Sequence, residues 1–198
     1  MPILIFATNN ENKVAEIKAF VGESYNIISL KEAGIDIDIP EPHPTLEGNA
    51  TEKSMTIYRL TGQDCFSEDT GLEVDILNGK PGVKSARYAG EGRNFEDNID
   101  KVLYELLHKT NRKARFRTVI SLVMDGKEQL FEGICKGQII AERKGVSGFG
   151  YDPIFVPDGS DKTFAEMTME EKNKFSHRKK AMANLILHLS QKGTNSSQ

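Results

Sequence analysis

The sequence predicts an α/β fold built on a mixed sheet, and three observations carry that prediction. The first is Pro2-Ile3-Leu4-Ile5-Phe6-Ala7, a continuous apolar run followed by a polar loop and an amphipathic stretch: strand, loop, helix. The second is Cys65-Phe66, which runs straight into Ser67-Glu68-Asp69-Thr70-Gly71-Leu72. This places two carboxylates at the carboxyl end of a strand, where open α/β sheets bind ligands. The third is Asp125-Gly126 between two apolar runs, a hairpin signal that makes the sheet mixed rather than purely parallel.

The elements follow in order. After the first strand, Val14, Ile17, Phe20 and Val21 recur at helical spacing, so a helix starts near Asn12, capped by Asn10 or Asn12. Tyr25 to Leu30 is a second strand. Residues 31–44 form a loop stiffened by Pro40, Pro42 and Pro44, with Glu41 among them. A helix capped by Thr45 runs to about Thr61, with Asn49 and Lys53 one turn apart on one face, which reads as a solvated polar face. Asn78 to Gly82 is a turn cluster. Phe95, Ile99, Val102, Leu103, Leu106 and Leu107 mark an amphipathic helix that serves core or dimer packing. Phe116–Met124 and Gln129–Ile140 are the hairpin strands, and Ile154-Phe155-Val156 a short edge strand. Thr168 and Glu171 form a capping box. The last helix begins after Ser176 and carries Met182, Leu185, Ile186 and Leu189 on one face. Residues 193–198 are a polar tail.

A length of 198 residues fits one large domain, or one domain with two lobes; the prediction is a single domain over 1–192. A net charge of −3 argues against non-specific nucleic-acid coating, yet a few local cations can still create a positive site for a small polyanion. Cys65 and Cys135 lie in separate apolar runs and read as buried free thiols. No leader pattern and no apolar run of membrane-spanning length occurs, so a soluble cytoplasmic protein without membrane partners is expected.

Several stretches carry chemistry. Thr8-Asn9-Asn10-Glu11-Asn12-Lys13 joins a strand to a helix N-terminus, an anion-binding junction, although the same residues also make an ordinary capped connection. It lacks Walker A spacing. Glu68 and Asp69 follow the end of the Cys65-Phe66 strand and lead into a Thr70-Gly71 turn; successive strand side chains alternate, so one of the two can meet a metal or water while the other does something different. Gly148-Phe149-Gly150-Tyr151-Asp152-Pro153 offers a ring for base stacking and a carboxylate for a ring N–H; it equally suits a glycine loop with a core Phe. His177-Arg178-Lys179-Lys180 puts cations at a helix start, against the dipole, which costs stability unless an anion or polar ligand shares the site.

Together with Pro81-Gly82-Val83-Lys84-Ser85-Ala86-Arg87-Tyr88 and Ser176-His177-Arg178, these motifs resemble the inosine triphosphate pyrophosphatase family, from Thr8 to Arg178. The resemblance implies an elongated, twisted mixed sheet flanked by helices, with two lobes enclosing a nucleotide cleft, in a homodimer. It implies hydrolysis of ITP, dITP and XTP to the monophosphate and pyrophosphate. Thr8, Asn9, Asn10, Glu11, Asn12 and Lys13 would hold the triphosphate with help from Lys53. Glu41 and Asp69, with Glu68, would organise Mg²⁺, and Asp69 would be the general base. Thr70 would contact substrate, Phe149 would stack on the purine, and Gly150, Tyr151 and Asp152 would shape the pocket. Lys172, His177 and Arg178 would complete the base and phosphate contacts.

One position departs from the family pattern. Thr45-Leu46-Glu47-Gly48-Asn49-Ala50 resembles a segment that carries Glu where Gly48 stands. Gly inside a helix costs about 0.5–1 kcal/mol relative to Ala. Glu47 would face about 100° away from the missing carboxylate. Two alternatives follow: a nucleotide-binding protein of the same fold with weakened catalysis, or a pyrophosphatase for another modified nucleotide.

Overall fold

The computed structural model describes residues 3–22 and 25–195. Six strands, β1 (Ile3–Phe6), β2 (Asn26–Ser29), β3 (Cys65–Val74), β4 (Lys113–Met124), β5 (Lys127–Ile139) and β6 (Phe155–Pro157), form one sheet in the order β2-β1-β3-β4-β5-β6. β1 runs parallel to β2 and β3, whereas β5 and β6 are antiparallel. The sheet is therefore mixed, as the hairpin signal predicted. The helices are α1 (Glu11–Val21), α2 (Leu46–Thr61), α3 (Phe95–Glu105), α4 (Met169–Asn173) and α5 (His177–Asn195). Pro2 lies outside the described residues. The expected tail from 193 begins inside α5, and residues 196–198 lie outside the described residues.

The chain divides into two compact units. Residues 1–69, 118–133 and 177–198 form the first; residues 70–117 and 134–176 form the second. In the first unit, alternate β1 side chains enter different cores. Leu4 and Phe6 pack with Val14 and Ile17 of α1 and with Met182 and Leu185 of α5, and Phe6 stacks on Phe66. Ile5 and Ala7 pack with Ile57 of α2, Cys65 and Val123. A strand covered on both faces is what its unbroken apolar run encodes. In the second unit Ile99 and Val102 of α3 meet Leu72, Val74, Phe116 and Phe155, so the apolar stripe of α3 is core.

Two local expectations are corrected. Cys65-Phe66 does not end a strand, and Thr70-Gly71 is not a turn: β3 runs unbroken to Val74. Gly71 is needed there for a different reason. A Cβ on it would lie 2.6 Å from the Gly82 carbonyl oxygen, where the Pro81–Arg87 segment presses on the strand. Ser85 secures that contact by accepting the Leu72 N–H at 2.9 Å and donating to the Gly82 carbonyl at 2.6 Å. The Pro81–Tyr88 motif is thus a brace for the far half of β3. The second correction concerns the polar face of α2, expected in solvent: Asn49 and Lys53 are buried.

Candidate active site

The first unit gathers most of the predicted site residues. At the β1–α1 junction Asn10, not Asn12, is the cap: its Oδ1 accepts the N–H groups of Asn12 and Lys13 at 3.1 and 3.2 Å. Thr8 Oγ1 accepts the Asn10 N–H at 3.1 Å, and Asn9 Nδ2 donates to the Ile37 carbonyl at 2.7 Å. Glu11 sits exposed in the first turn of α1, where an anion suits the dipole. Lys13 turns inward to Glu68, 3.0 Å away.

Because β3 continues, Glu68 and Asp69 point to opposite faces. Glu68 meets a two-pronged guanidinium: Arg178 Nε and Nη2 approach its two oxygens at 2.7 and 2.9 Å, while Nη1 bonds Glu16 of α1. Burial alone would raise the Glu68 carboxyl. Arg178 and Lys13 overcome that and hold it well below the usual carboxylate range. The cations at the start of α5 thus do have anionic partners, supplied by the protein itself. Gly133 of β5 lets this helix start come close, since a Cβ there would overlap the His177 carbonyl and the Ala181 amide. His177 is buried beside Arg178.

Asp69 lies in a second group on the other face. Lys53 Nζ donates to Glu41 Oε1 at 2.6 Å and reaches Asp69 Oδ1 at 3.5 Å. Burial pushes the Asp69 carboxyl up, Lys53 and Lys13 pull it back, and Glu41 adds repulsion; it ends above its usual range. Lys53 is raised, since Asp69 and Glu41 outweigh its own burial. Glu41 and Asp69 against Lys53 leave this group one negative charge in excess. Among the described residues no three His, Cys, Asp or Glu gather as a closed metal nest. Two hard carboxylates with surplus negative charge suit a cation such as Mg²⁺, which keeps waters and takes one or two carboxylates along with substrate phosphates. The residues present fit such an ion.

The second unit begins at Thr70, which is half-buried. Here Asp152 organises the glycine loop. Its Oδ2 accepts the Phe149 N–H at 3.1 Å and the Lys172 ammonium at 2.7 Å. That ammonium lies 5.5 Å from the centre of the Phe149 ring. Gly150 turns the chain at positive φ, and the Tyr151 hydroxyl donates to the Ser85 carbonyl at 2.7 Å. Phe149, Gly150, Asp152 and Lys172 therefore form one local assembly, built on the same brace that supports β3.

Gly48 is corrected by its surroundings. It sits in the first turn of α2 with its N–H on the Thr45 cap, not in the helix interior. A Cβ there would lie 2.7 Å from His43 Cβ and 2.9 Å from His43 Cγ. The His43 side chain fills the space, so the glycine leaves no gap. Gly48→Glu is expected to displace His43 and lower the melting temperature, with no gain in turnover. A faster, equally stable variant would contradict this.

Sequence reasoning missed Glu16, the second partner of Arg178, and Asn49, treated below. Glu16 carries no local signal, because its partner is 162 positions away.

The chain is similar to known proteins over most of its length. The Ham1 family model matches residues 4–188. The dITP/XTP pyrophosphatase of Flavobacterium psychrophilum is 54% identical over 183 residues, covering 92% of this chain and 96% of that protein. The dITP/XTP pyrophosphatase of Porphyromonas gingivalis is 48% identical over 186 residues, covering 93% and 96%. The solved Ham1 protein of Staphylococcus aureus superposes with a TM-score of 0.86 at 38% identity, covering 96% and 99%. That of Coxiella burnetii gives 0.87 at 34%, covering 96% and 100%.

Proposed function

We propose, since this chain belongs to the Ham1 family, that it hydrolyses the non-canonical purine nucleoside triphosphates ITP, dITP and XTP to the monophosphate and pyrophosphate. The observation that supports this most is the Glu41–Lys53–Asp69 group, in which Lys53 and Asp69 are buried and Glu41 half-buried, with its surplus negative charge. It joins a cation site to a carboxylate whose pKa burial raises above its ordinary value.

The residues divide the work. Asp69 takes the proton of the attacking water on its carboxylate as the α-phosphorus–oxygen bond to pyrophosphate breaks. Glu41 and Asp69 provide for Mg²⁺; Glu68, expected with them, lies on the opposite face of β3 and holds Arg178 and Lys13 instead. When bound, that ion would neutralise phosphate charge and polarise the reacting anhydride. Lys13 and Lys53 hold phosphate charge, and Thr8 to Asn12 shape the junction that receives it. Phe149 stacks on the purine, Gly150, Tyr151 and Asp152 shape its surroundings, Lys172 adds a cation, and Thr70 contacts substrate. His177 and Arg178 offer donors to a 6-oxo group, which adenine lacks; a site built for such a bond penalises a base that cannot make it. Glu68 and Glu16 hold the Arg178 guanidinium rigidly for that task.

The proposal includes a single catalytic domain over 1–192, a homodimer and a cytoplasmic setting. The two buried free thiols suit a reducing compartment. No described helix is long and apolar enough to cross a membrane. The test is a Mg²⁺-dependent assay on ITP, dITP, XTP, GTP, ATP and dUTP, reading pyrophosphate apart from phosphate. Pyrophosphate from the first three and little from the others is expected. Equal turnover of ATP, or phosphate as the product, would overturn it.

A further inference from the structure

The loop that carries Glu41 has little backbone hydrogen bonding to offer. Pro40, Pro42 and Pro44 lack N–H groups, so within residues 40–44 only Glu41 and His43 can donate. A side chain on α2 captures the second of these. Asn49, 1% exposed, accepts the His43 N–H through Oδ1 at 2.9 Å and donates through Nδ2 to the His43 carbonyl at 3.2 Å. One carboxamide thus pairs with the main chain of His43 as a neighbouring strand would. The same side chain lies near enough to Asp69 to favour its charged form. Lys53, one helical turn further along the same face, holds Glu41 and Asp69 through its ammonium. Both carboxylates are therefore held from α2 by the Lys53 charge, and Asn49 adds two hydrogen bonds to the main chain beside Glu41.

We infer that Asn49 is a positioning residue for the cation site, fixing the stiff 40–44 loop so that Glu41 faces Lys53 beside Asp69. This rests on the proposed role of those carboxylates as cation ligands. The stiffness of the loop is what makes the device effective. Pro42 separates Glu41 from the pinned His43 and locks its own φ, so a shift at His43 is passed on to Glu41 instead of being absorbed. The amide is required because both its functions are used. Asn49→Asp would turn the donor into an acceptor facing the His43 carbonyl and add a negative charge near Asp69. Ala would remove both functions.

The test compares wild type, Asn49→Asp and Asn49→Ala in two readouts, with melting temperature as a check on folding. Mn²⁺ alone is titrated into nucleotide-free protein and the free ion followed by electron paramagnetic resonance. Separately, the Mg²⁺ concentration for half-maximal pyrophosphate release is measured alongside KM for dITP at saturating Mg²⁺. Both variants should hold Mn²⁺ about 10- to 100-fold more weakly, as is typical when the groups that orient metal ligands are lost. The Mg²⁺ requirement should rise by a similar factor, with a smaller change in KM. A residue that merely supports the fold would lower the melting temperature and leave the metal readouts unmoved, and that result overturns the inference. If Asn49→Asp does not fold, Asn49→Ala decides by the same criteria. Wild type that neither holds Mn²⁺ nor needs Mg²⁺ would overturn the cation reading itself and the inference with it.

Discussion

Asp69→Asn should lower kcat by about 10²- to 10⁴-fold, the usual contribution of a positioned general base, while nucleotide still binds. The same variant should be more stable than wild type at neutral pH. Burial raises the Asp69 carboxyl above its usual value, and Lys53 and Lys13 only partly compensate. Its protonated form therefore contributes stability that is fully present below the unfolded-state value of 3.8 and is lost as pH rises through the raised folded value. Above that point the native state holds a costly anion, and a neutral Asn removes the cost. The two proteins should melt at similar temperatures in acid and diverge as pH rises, with the variant ahead. Mg²⁺ should narrow the gap by stabilising wild type more. Calorimetry across this pH range, with and without Mg²⁺, checks the stability claim. A variant with normal turnover, or one less stable at neutral pH, would sink the assignment.

Arg178→Met should have the largest effect on stability. The guanidinium is buried and holds Glu68 with two donors and Glu16 with a third. Removing it takes the guanidinium from two buried carboxylates, Glu68 and Glu16. Breaking a buried pair from one side costs about 3–5 kcal/mol, because the remaining charge keeps its desolvation penalty. The pH dependence should also change. Burial works against the Glu68 anion, but Arg178 and Lys13 depress its carboxyl below the unfolded value of 4.5. The stability it contributes is present above that value and is lost only as pH falls through the depressed folded value. In the variant this contribution is gone, and mild acid should instead relieve the two carboxylates. Adding Glu68→Gln should recover part of the loss. Urea unfolding reads all three proteins; a single variant within about 1 kcal/mol of wild type would show that the pair is not structurally important.

The parts of the fold legible in the sequence were those set by local periodicity. Ile3–Phe6, the stripe of α3 and the Asp125-Gly126 hairpin each announce themselves within a dozen residues, and the structure places them accordingly. β3 was misread because Glu68, Asp69, Thr70 and Gly71 look like a polar turn. They remain in a strand because Arg178, Lys13 and Lys53 neutralise the carboxylates and the Gly82 carbonyl needs the space at Gly71. None of those partners is local. The candidate site was legible in its residue types, since Glu41, Lys53 and Asp69 do come together. Its internal pairing was not. Helical spacing put Asn49 and Lys53 on one face but could not say that the Pro40–Pro44 loop would cover it. Likewise Gly48 looked like a lost carboxylate, because nothing in the sequence shows that His43 folds back over it.

The central claim is that water attacks the α-phosphorus of a non-canonical purine triphosphate. Hydrolysis of an equal mixture of dITP, dGTP and dATP in ¹⁸O-water, read by mass spectrometry, tests it most directly. The account predicts dIMP carrying one ¹⁸O atom, unlabelled pyrophosphate, and dGTP and dATP largely intact. Label in orthophosphate beside dIDP, or equal consumption of the three nucleotides, would contradict it.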